Sequence, residues 1–363
     1  MCAPATSCSS GCGEQGLSVR AGMVDNIAMT EKGNQRAVAR LPGRCALINP
    51  PVLVLLLALA VSGGLVLADA IELDFDASAG TLSGSLFLPP GEGPHPAVVF
   101  LAGSGDESYR TGWEGERRSW FWPELQAWFA GRGYAVYIFD KPGIGRSAGD
   151  WRKEDFGDRA DNALAAVRML GARSGIDAAR IGLLGHSQGG WIAVKAAARA
   201  SDEVAWVISL AGPAIGVREQ IIEDTANRWQ CDERRALGLR RAGLGMMLSG
   251  MGALGRVVPA GYLSRIVRYD PADDLAAMQQ PMLALFADND IMVMPETNVP
   301  RLEQHFGRDS GNPHRVVKKI PGLDHFFRAG SFCLDSPRPQ SFDPDFWAAL
   351  DAPAFWEAIN GSR

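Results

Sequence analysis

The chain has 363 residues, 47% hydrophobic and 21% charged, with 36 Lys+Arg against 41 Asp+Glu for a formal net charge of −5. That is a globular balance with no basic surplus for a nucleic-acid surface, and the length suits one large α/β domain or two ordinary ones. The six cysteines are Cys2, Cys8, Cys12, Cys45, Cys231 and Cys333, with no paired histidines spaced to complete a zinc site.

Residues 1–28 are rich in Ser, Gly and Cys and carry no periodic pattern; Met23 and Met29 offer alternative starts. From Met29 the order is that of an export signal. Lys32, Arg36, Arg40 and Arg44 form a basic region, Val52–Val61 is an unbroken apolar run, and Ala68-Asp69-Ala70 fits an A-x-A cleavage site. The alternative is a retained membrane anchor, because Val52–Ala68 reaches the short end (~17 residues) of a spanning helix. No cysteine stands at the cleavage position, so a lipoprotein anchor is not indicated. Residues 1–70 are thus expected to be an N-terminal extension with a signal peptide or anchor. The folded part is expected outside the cytoplasm, periplasmic or secreted, with membrane contact through residues 52–68 only if they are uncleaved. Beyond residue 70 only Cys231 and Cys333 remain, able to pair in an oxidising compartment or to stay as buried thiols.

Ile71–Asp76 and Leu82–Leu88 alternate apolar and polar residues, which predicts an opening hairpin of half-exposed strands. After the Pro/Gly linker 89–96, Ala97–Leu101 is continuously apolar, a strand buried on both faces. It ends in Ala102-Gly103-Ser104-Gly105. A tryptophan-rich segment, Trp113–Trp128, follows, and its second half from Pro123 to Ala130 reads as helix. Tyr134–Phe139 is another buried strand. Phe156–Leu170 has apolar residues at 160, 163, 164, 167 and 170, the spacing of an amphipathic helix. Ile181–Leu184 predicts a strand, Trp191–Ala200 a helix, and Val204–Leu210 the next strand. From Gly212 to Met278 the alternation stops. That stretch has helical runs over 218–241 and a flexible Gly/Met-rich part over 243–255. Alternation returns with Met282–Phe286 (strand), Pro295–Phe306 (helix) and Val316–Ile320 (strand), and Phe342–Ile359 closes as one or two helices. The expected fold is therefore α/β, a mostly parallel sheet with helices on both faces. Its core is 71–211 and 279–363, and 212–278 is a helical cap inserted after the sixth strand, over the carboxyl ends where such sheets bind ligands.

Between the Ile181–Leu184 strand and the helix that follows lies Gly185-His186-Ser187-Gln188-Gly189, a G-x-S-x-G sequence. In that context Ser187 sits on a strained turn with its hydroxyl exposed, and the flanking glycines leave room where strand and helix nearly touch. The lysine of a phosphate-binding loop is missing. A nucleophilic serine needs a base, and there are five histidines to choose from. His95 precedes the third strand, His186 is adjacent to Ser187 and points away, His305 lies in a helix, and His314 precedes a strand. His325 lies in the loop after the last strand, at its carboxyl end, where a base could reach Ser187. Asp288-Asn289-Asp290 follows the preceding strand, and one carboxylate there would hold the imidazole; Asp324 is a weaker competitor. Residues two apart in an extended turn point to opposite sides, so only one of Asp288 and Asp290 can serve. Asp290 is followed by Ile291-Met292-Val293, able to pack the loop down over it. The oxyanion hole is expected to combine the backbone N–H of Gln188 with that of Ser104.

Four motifs, G-H-S-Q-G-G at 185–190, D-K-P-G-I-G-R-S at 140–147, A-D-N-D-I-M-V at 287–293 and G-L-D-H-F at 322–326, make the chain from about 71 to 360 resemble the α/β-hydrolase superfamily. The second resembles the D-x-R-G-x-G-x-S loop of its serine peptidase, lysophospholipase and acyltransferase-like branch, with Pro142 in place of Arg. The third resembles G-x-x-D-x-x-V, which places the acid on Asp290. The first loop departs, with A-G-S-G where H-G-x-G is usual. The resemblance implies a serine hydrolase using Ser187, Asp290 and His325 on a small-molecule ester or thioester, with no metal or organic cofactor. A peptidase of prolyl-oligopeptidase type shares the branch, but residues 71–96 are too few for its gating propeller. Acyl transfer, and a non-catalytic binding protein on the same scaffold, are the further readings. Met246, Met247 and Met251 suggest an apolar acyl pocket in the cap.

Overall fold

Strand β3 (His95–Leu101) shows how the sheet is built. Ala97, Val99 and Leu101 enter one core, while Val98 and Phe100 enter another on the opposite face. A strand buried on both faces belongs in the interior of a covered sheet. The computed structural model describes residues 70–110, 120–231, 237–255, 261–306, 315–333 and 339–361. The export pattern of residues 29–69 lies outside them, as do residues 1–28, Trp113 and His314. Among the described residues no helix is long and apolar enough to cross a membrane.

The other strands are β1 (Ile71–Ala77), β2 (Gly80–Phe87), β4 (Ala135–Phe139), β5 (Ile176–His186), β6 (Trp206–Leu210), β7 (Met282–Ala287) and β8 (Arg315–Ile320). They form one eight-stranded sheet in the order β1-β2-β4-β3-β5-β6-β7-β8. The β1–β2 hairpin and its junction with β4 are antiparallel; every other pairing is parallel. Within β5, Gly182 interrupts the apolar run because a Cβ there would stand 2.1 Å from the Trp206 ring. The indole of β6 lies over the strand and leaves no space for a side chain.

The helices in chain order are α1 (Phe121–Ala130), α2 (Phe156–Gly171), α3 (Gln188–Arg199), α4 (Val217–Cys231), α5 (Leu237–Leu254), α6 (Tyr262–Ile266), α7 (Ala272–Ala277), α8 (Pro295–Phe306), α9 (Pro344–Leu350) and α10 (Pro353–Gly361). Helices α1, α9 and α10 cover one face with Phe121, Phe129, Phe346 and Phe355, and α2, α3 and α8 cover the other. α2 starts where its sequence dictates. The Asp155 carboxylate accepts from the N–H groups of Gly157 and Asp158, and Asp158 accepts back from the Asp155 N–H, a reciprocal cap.

Four helices, α4 to α7, fill the interval between β6 and β7. The Gly/Met-rich part expected to be flexible is instead the second half of α5, which continues to Leu254. Glycine costs a helix ~1 kcal/mol against alanine, and here two of the glycines serve packing. A Cβ on Gly245 would come within 3.3 Å of the Arg218 guanidinium, and one on Gly252 within 3.2 Å of the Arg268 side chain. Small residues bring α5 close to α4 and to the chain after α6. Met246 and Met247 are 72% and 53% exposed on its outer side. Neither they nor Met251 line the cavity beside Ser187.

Cys231, the last residue of α4, is bonded to Cys333 in the loop beyond β8, across a sequence separation of 102. A loop of that size removes a large part of the unfolded chain's freedom, about 4.7 kcal/mol in the chain-entropy account. Cys231→Ser should therefore lower the unfolding free energy by several kcal/mol (up to about 5). Denaturant titration of wild type and variant, each with and without reductant, checks this, and only the wild type should respond to reductant.

Candidate functional site

The carboxyl end of β5 passes into α3 through a single strained residue. Ser187 has φ 53° and ψ −124°, a left-handed conformation that a side-chain-bearing residue adopts only when its surroundings enforce it. The enforcement is steric. A Cβ on Gly185 would stand 2.1 Å from the Gly189 carbonyl oxygen, one on Gly189 2.1 Å from the Leu101 carbonyl oxygen, and one on Gly190 2.6 Å from the Gly212 Cα. Strand β5, helix α3 and the ends of β3 and β6 meet here at backbone contact. The Ser187 N–H donates to Leu210 O at 2.9 Å, and its carbonyl accepts from Gly190 N–H at 2.8 Å. Gln188 opens α3, so its own N–H has no partner within the helix and sits at the positive end of the helix dipole.

The loop after β7 separates the two aspartates. Asp290 is fully buried, and its Oδ2 lies 2.6 Å from Nδ1 of His325, itself 3% exposed. Its Oδ1 accepts from the N–H groups of Met292 and Val293 at 2.8 and 2.9 Å. Asp288 turns the other way and accepts from Gly322 N–H at 2.5 Å, closing the turn after β8. Asp324 is engaged elsewhere, held in two-pronged fashion by the Arg328 guanidinium and by the N–H groups of Phe326 and Arg328. His186 is buried, and its Nε2 lies 3.0 Å from the His325 carbonyl oxygen. The rings of the two histidines are 4.8 Å apart, so the residue beside Ser187 seats the His325 loop. His95 begins β3, and His305 falls near the end of α8.

A cavity of about 220 Å³ opens beside Ser187 and is lined by Ser104 and Gln188 as well. Gly103 is pressed against the Ser187 turn, since a Cβ there would stand 3.1 Å from the Ser187 Cβ. The site thus brings together Ser187, Gln188 and Ser104 at one opening, with the His325–Asp290 pair in the adjoining loops. The outer wall comes from α4 through Val217, Ile221, Gln220 and Asp224, and from Ile266 of α6.

Sequence reading missed what α4 does. The Gln220 amide donates to Met292 O, and the Asn227 amide donates to Ile291 O at 2.9 Å, so α4 grips the two residues that follow Asp290. Gln220 Oε1 is buried with no hydrogen-bond partner among the described residues. Asp224 accepts from Arg228 at 2.7 Å. Burial raises its carboxyl above the usual range, against the opposing pull of Arg228. A second omission is Arg159, 6% exposed on the core-facing side of α2. It donates to the side-chain oxygen of Gln188, which also accepts from Tyr262 at 3.0 Å, and to Ala102 O at 3.3 Å. Its signal was present, because an arginine beside positions 160 and 163 interrupts an otherwise apolar helix face. The polar residues of α4 left no such signal.

The sheet and this strand–turn–helix serine define a class of architecture: the chain has the α/β-hydrolase fold. A family model described as serine aminopeptidase, S33, matches residues 115–244. The chain is 25% identical over 245 residues to esterase EstD of Thermotoga maritima, covering 65% of this chain and 56% of the relative. It is 26% identical over 213 residues to esterase FrsA of an Enterobacter species, covering 55% and 48%. The chain therefore spans about half the length of the curated relatives it matches. Among solved structures it superposes on an esterase of Pyrococcus furiosus, Pf2001, with a TM-score of 0.54 at 14% identity, covering 88% and 97% of the two chains. It also superposes on a 2,6-dihydroxy-pseudo-oxynicotine hydrolase with a TM-score of 0.53 at 20% identity, covering 81% and 69%.

Because the atom facing Gly189 is backbone rather than a movable side chain, Gly189→Ala has nowhere to relax. Its cost should be at the upper end of overpacking, about 3 kcal/mol or more, or the protein should fail to accumulate. A melting temperature within a degree or two of wild type would contradict this reading of the turn.

Proposed function

We propose that the chain is a serine hydrolase that cleaves carboxylic esters or thioesters through an acyl-enzyme. The observation that carries the reading is Ser187, strained at φ 53° and lining a cavity, with the buried His325–Asp290 pair held in the loops after β7 and β8. Ser187 Oγ attacks the carbonyl carbon while His325 Nε2 takes its proton. Asp290 holds the Nδ1–H, fixing the tautomer and stabilising the imidazolium. The carbonyl oxygen becomes an oxyanion facing the N–H groups of Gln188 and Ser104, with the N-terminus of α3 behind it. Collapse breaks the bond to the leaving alcohol or thiol, which takes the proton from His325. Water, deprotonated by the same imidazole, then releases the acid and restores Ser187.

Residues 212–278 serve as the cap of this site. The apolar side chains of Val217, Ile221 and Ile266 suit an acyl chain. The esterase names of EstD and FrsA support the ester reading. The description of the matching family model keeps an amide substrate as the alternative, handled by the same acyl-enzyme. The enzyme acts outside the cytoplasm. The basic region, apolar run and Ala68-Asp69-Ala70 support export, and the Cys231–Cys333 bond is one that an oxidising compartment permits.

A fluorophosphonate probe should label the peptide containing Ser187, and Ser187→Ala should abolish both the label and turnover. Parallel ester, thioester and amide panels then rank the substrate classes. Asp290→Asn should lower kcat by about 10⁴, as loss of an orienting aspartate does, while Asp288→Asn should cost less than about tenfold. Reversed results would move the acid to Asp288. For export, N-terminal sequencing of protein from its native host should begin at or near Ile71; a cytosolic form that keeps residues 29–70 would refute it.

A further inference from the structure

The oxyanion loop after β3 reads A-G-S-G, where a histidine-bearing H-G-x-G loop is usual, and two of its four residues are glycines with no side chain to anchor them. Gly105 adopts φ +102°. Such a segment has large backbone freedom, yet a hydrogen-bond donor of the site must be held in place before the charge it meets develops. The holding group lies in the D-K-P-G-I-G-R-S motif, on the loop that follows β4. Lys141 is 6% exposed, and its Nζ donates to Gly103 O at 3.1 Å and to Gly105 O.

We infer that Lys141 is the positioning residue of the oxyanion loop, gripping the Gly103 and Gly105 carbonyl oxygens so that the Ser104 N–H is turned toward Ser187. The inference rests on the acyl-enzyme reading above. The geometry follows from peptide planarity: in a trans peptide the C=O and the N–H point in opposite directions. Fixing the Gly103 carbonyl on Lys141 therefore sends the Ser104 N–H away from Lys141, and Ser104 lines the cavity beside Ser187. Arg159 does the same one peptide earlier, drawing the Ala102 carbonyl at 3.3 Å while holding the Gln188 side chain. Lys141 thus backs the Ser104 N–H, while Arg159 ties the same loop to the side chain of Gln188, whose N–H is the second donor.

An ammonium buried among backbone carbonyls is costly. Burial, with the charge of Arg159, brings the Lys141 amine down to about 7, opposed by the carboxylates of Glu107, Asp106 and Asp140. The folded chain then binds fewer protons than the unfolded chain between pH 7 and the ordinary lysine range near 10.4. Stability contributed by this residue rises with pH across that window and is smallest below pH 7. A residue kept only for stability would not be placed this way.

Lys141→Met removes the donors at similar volume. Its kcat on a short-chain p-nitrophenyl ester should fall about 100-fold, the scale of one lost oxyanion donor, with KM within about threefold of wild type. Its melting temperature at pH 6 should not be lowered, and its stability should lack the rise between pH 7 and 10. Lys141→Ala should be slow in the same way and regain part of its kcat with added propylammonium, but not with tetramethylammonium, which has no N–H to donate. A kcat within threefold of wild type in Lys141→Met overturns the inference. So does a loss of kcat that tracks a fall in melting temperature and ignores propylammonium. Fluorophosphonate labelling separates the two levels. An unlabelled wild type sinks the serine-hydrolase reading and this inference together, whereas a labelled wild type beside an indifferent Lys141→Met sinks this inference alone.

Discussion

The constraint on which the site depends is the absence of space around Ser187. Presenting a serine hydroxyl at the top of a sheet requires the chain to reverse from strand to helix within one residue, and that residue takes a φ of 53°. The reversal brings four backbone segments into contact, and at each contact the sequence supplies glycine. Gly185 meets Gly189, Gly189 meets Leu101, Gly190 meets Gly212, and Gly103 meets Ser187 itself. The same closeness sets the loop after β3 beside the N-terminus of α3. Tight packing and the placement of donors are therefore one structural fact, and the strain in Ser187 is held by the sheet on three sides.

Around that turn the polar groups are arranged by loops that the sheet order makes adjacent. β5, β6, β7 and β8 follow one another in parallel, so their carboxyl ends bring Ser187, Gly212, Asp290 and His325 to one edge in chain order. The loops after β7 and β8 hold the buried pair of Asp290 and His325, and Lys141 and Arg159 hold the carbonyls of the loop after β3. A carboxylate is thus held against the imidazole, and side-chain nitrogens against backbone oxygens.

Much of this was legible in the sequence because it is local. Continuous apolar runs gave the interior strands, since a strand buried on both faces has no other composition. The β5 strand nevertheless begins at Ile176, because Asp177–Arg180 is a partly exposed lead-in that an apolar criterion passes over. Strand ends confined the candidate base and acid to two loops, and the two-residue period put Asp288 and Asp290 on different partners. The flexible stretch over 243–255 was misread because local glycine content argues against helix. What Gly245 and Gly252 gain by approaching α4 and the chain after α6 is visible only once those partners are in place. Lys141 and Gln220 were missed for the same reason. Each acts on backbone carbonyls 36–38 and 72 residues away in sequence, and no spacing rule reaches that far.

Helix α4 is fastened along its whole length. Its first N–H, on Val217, donates to Tyr269 O at 2.9 Å; Gln220 and Asn227 hold the chain after Asp290; and Cys231 is bonded into the loop that carries His325. A rod fixed at both ends and twice between cannot roll or swing outward while the protein stays folded and oxidised. The width of the chamber beside Ser187 is therefore set when the chain folds and not when substrate arrives. Any widening of that chamber must come from other elements.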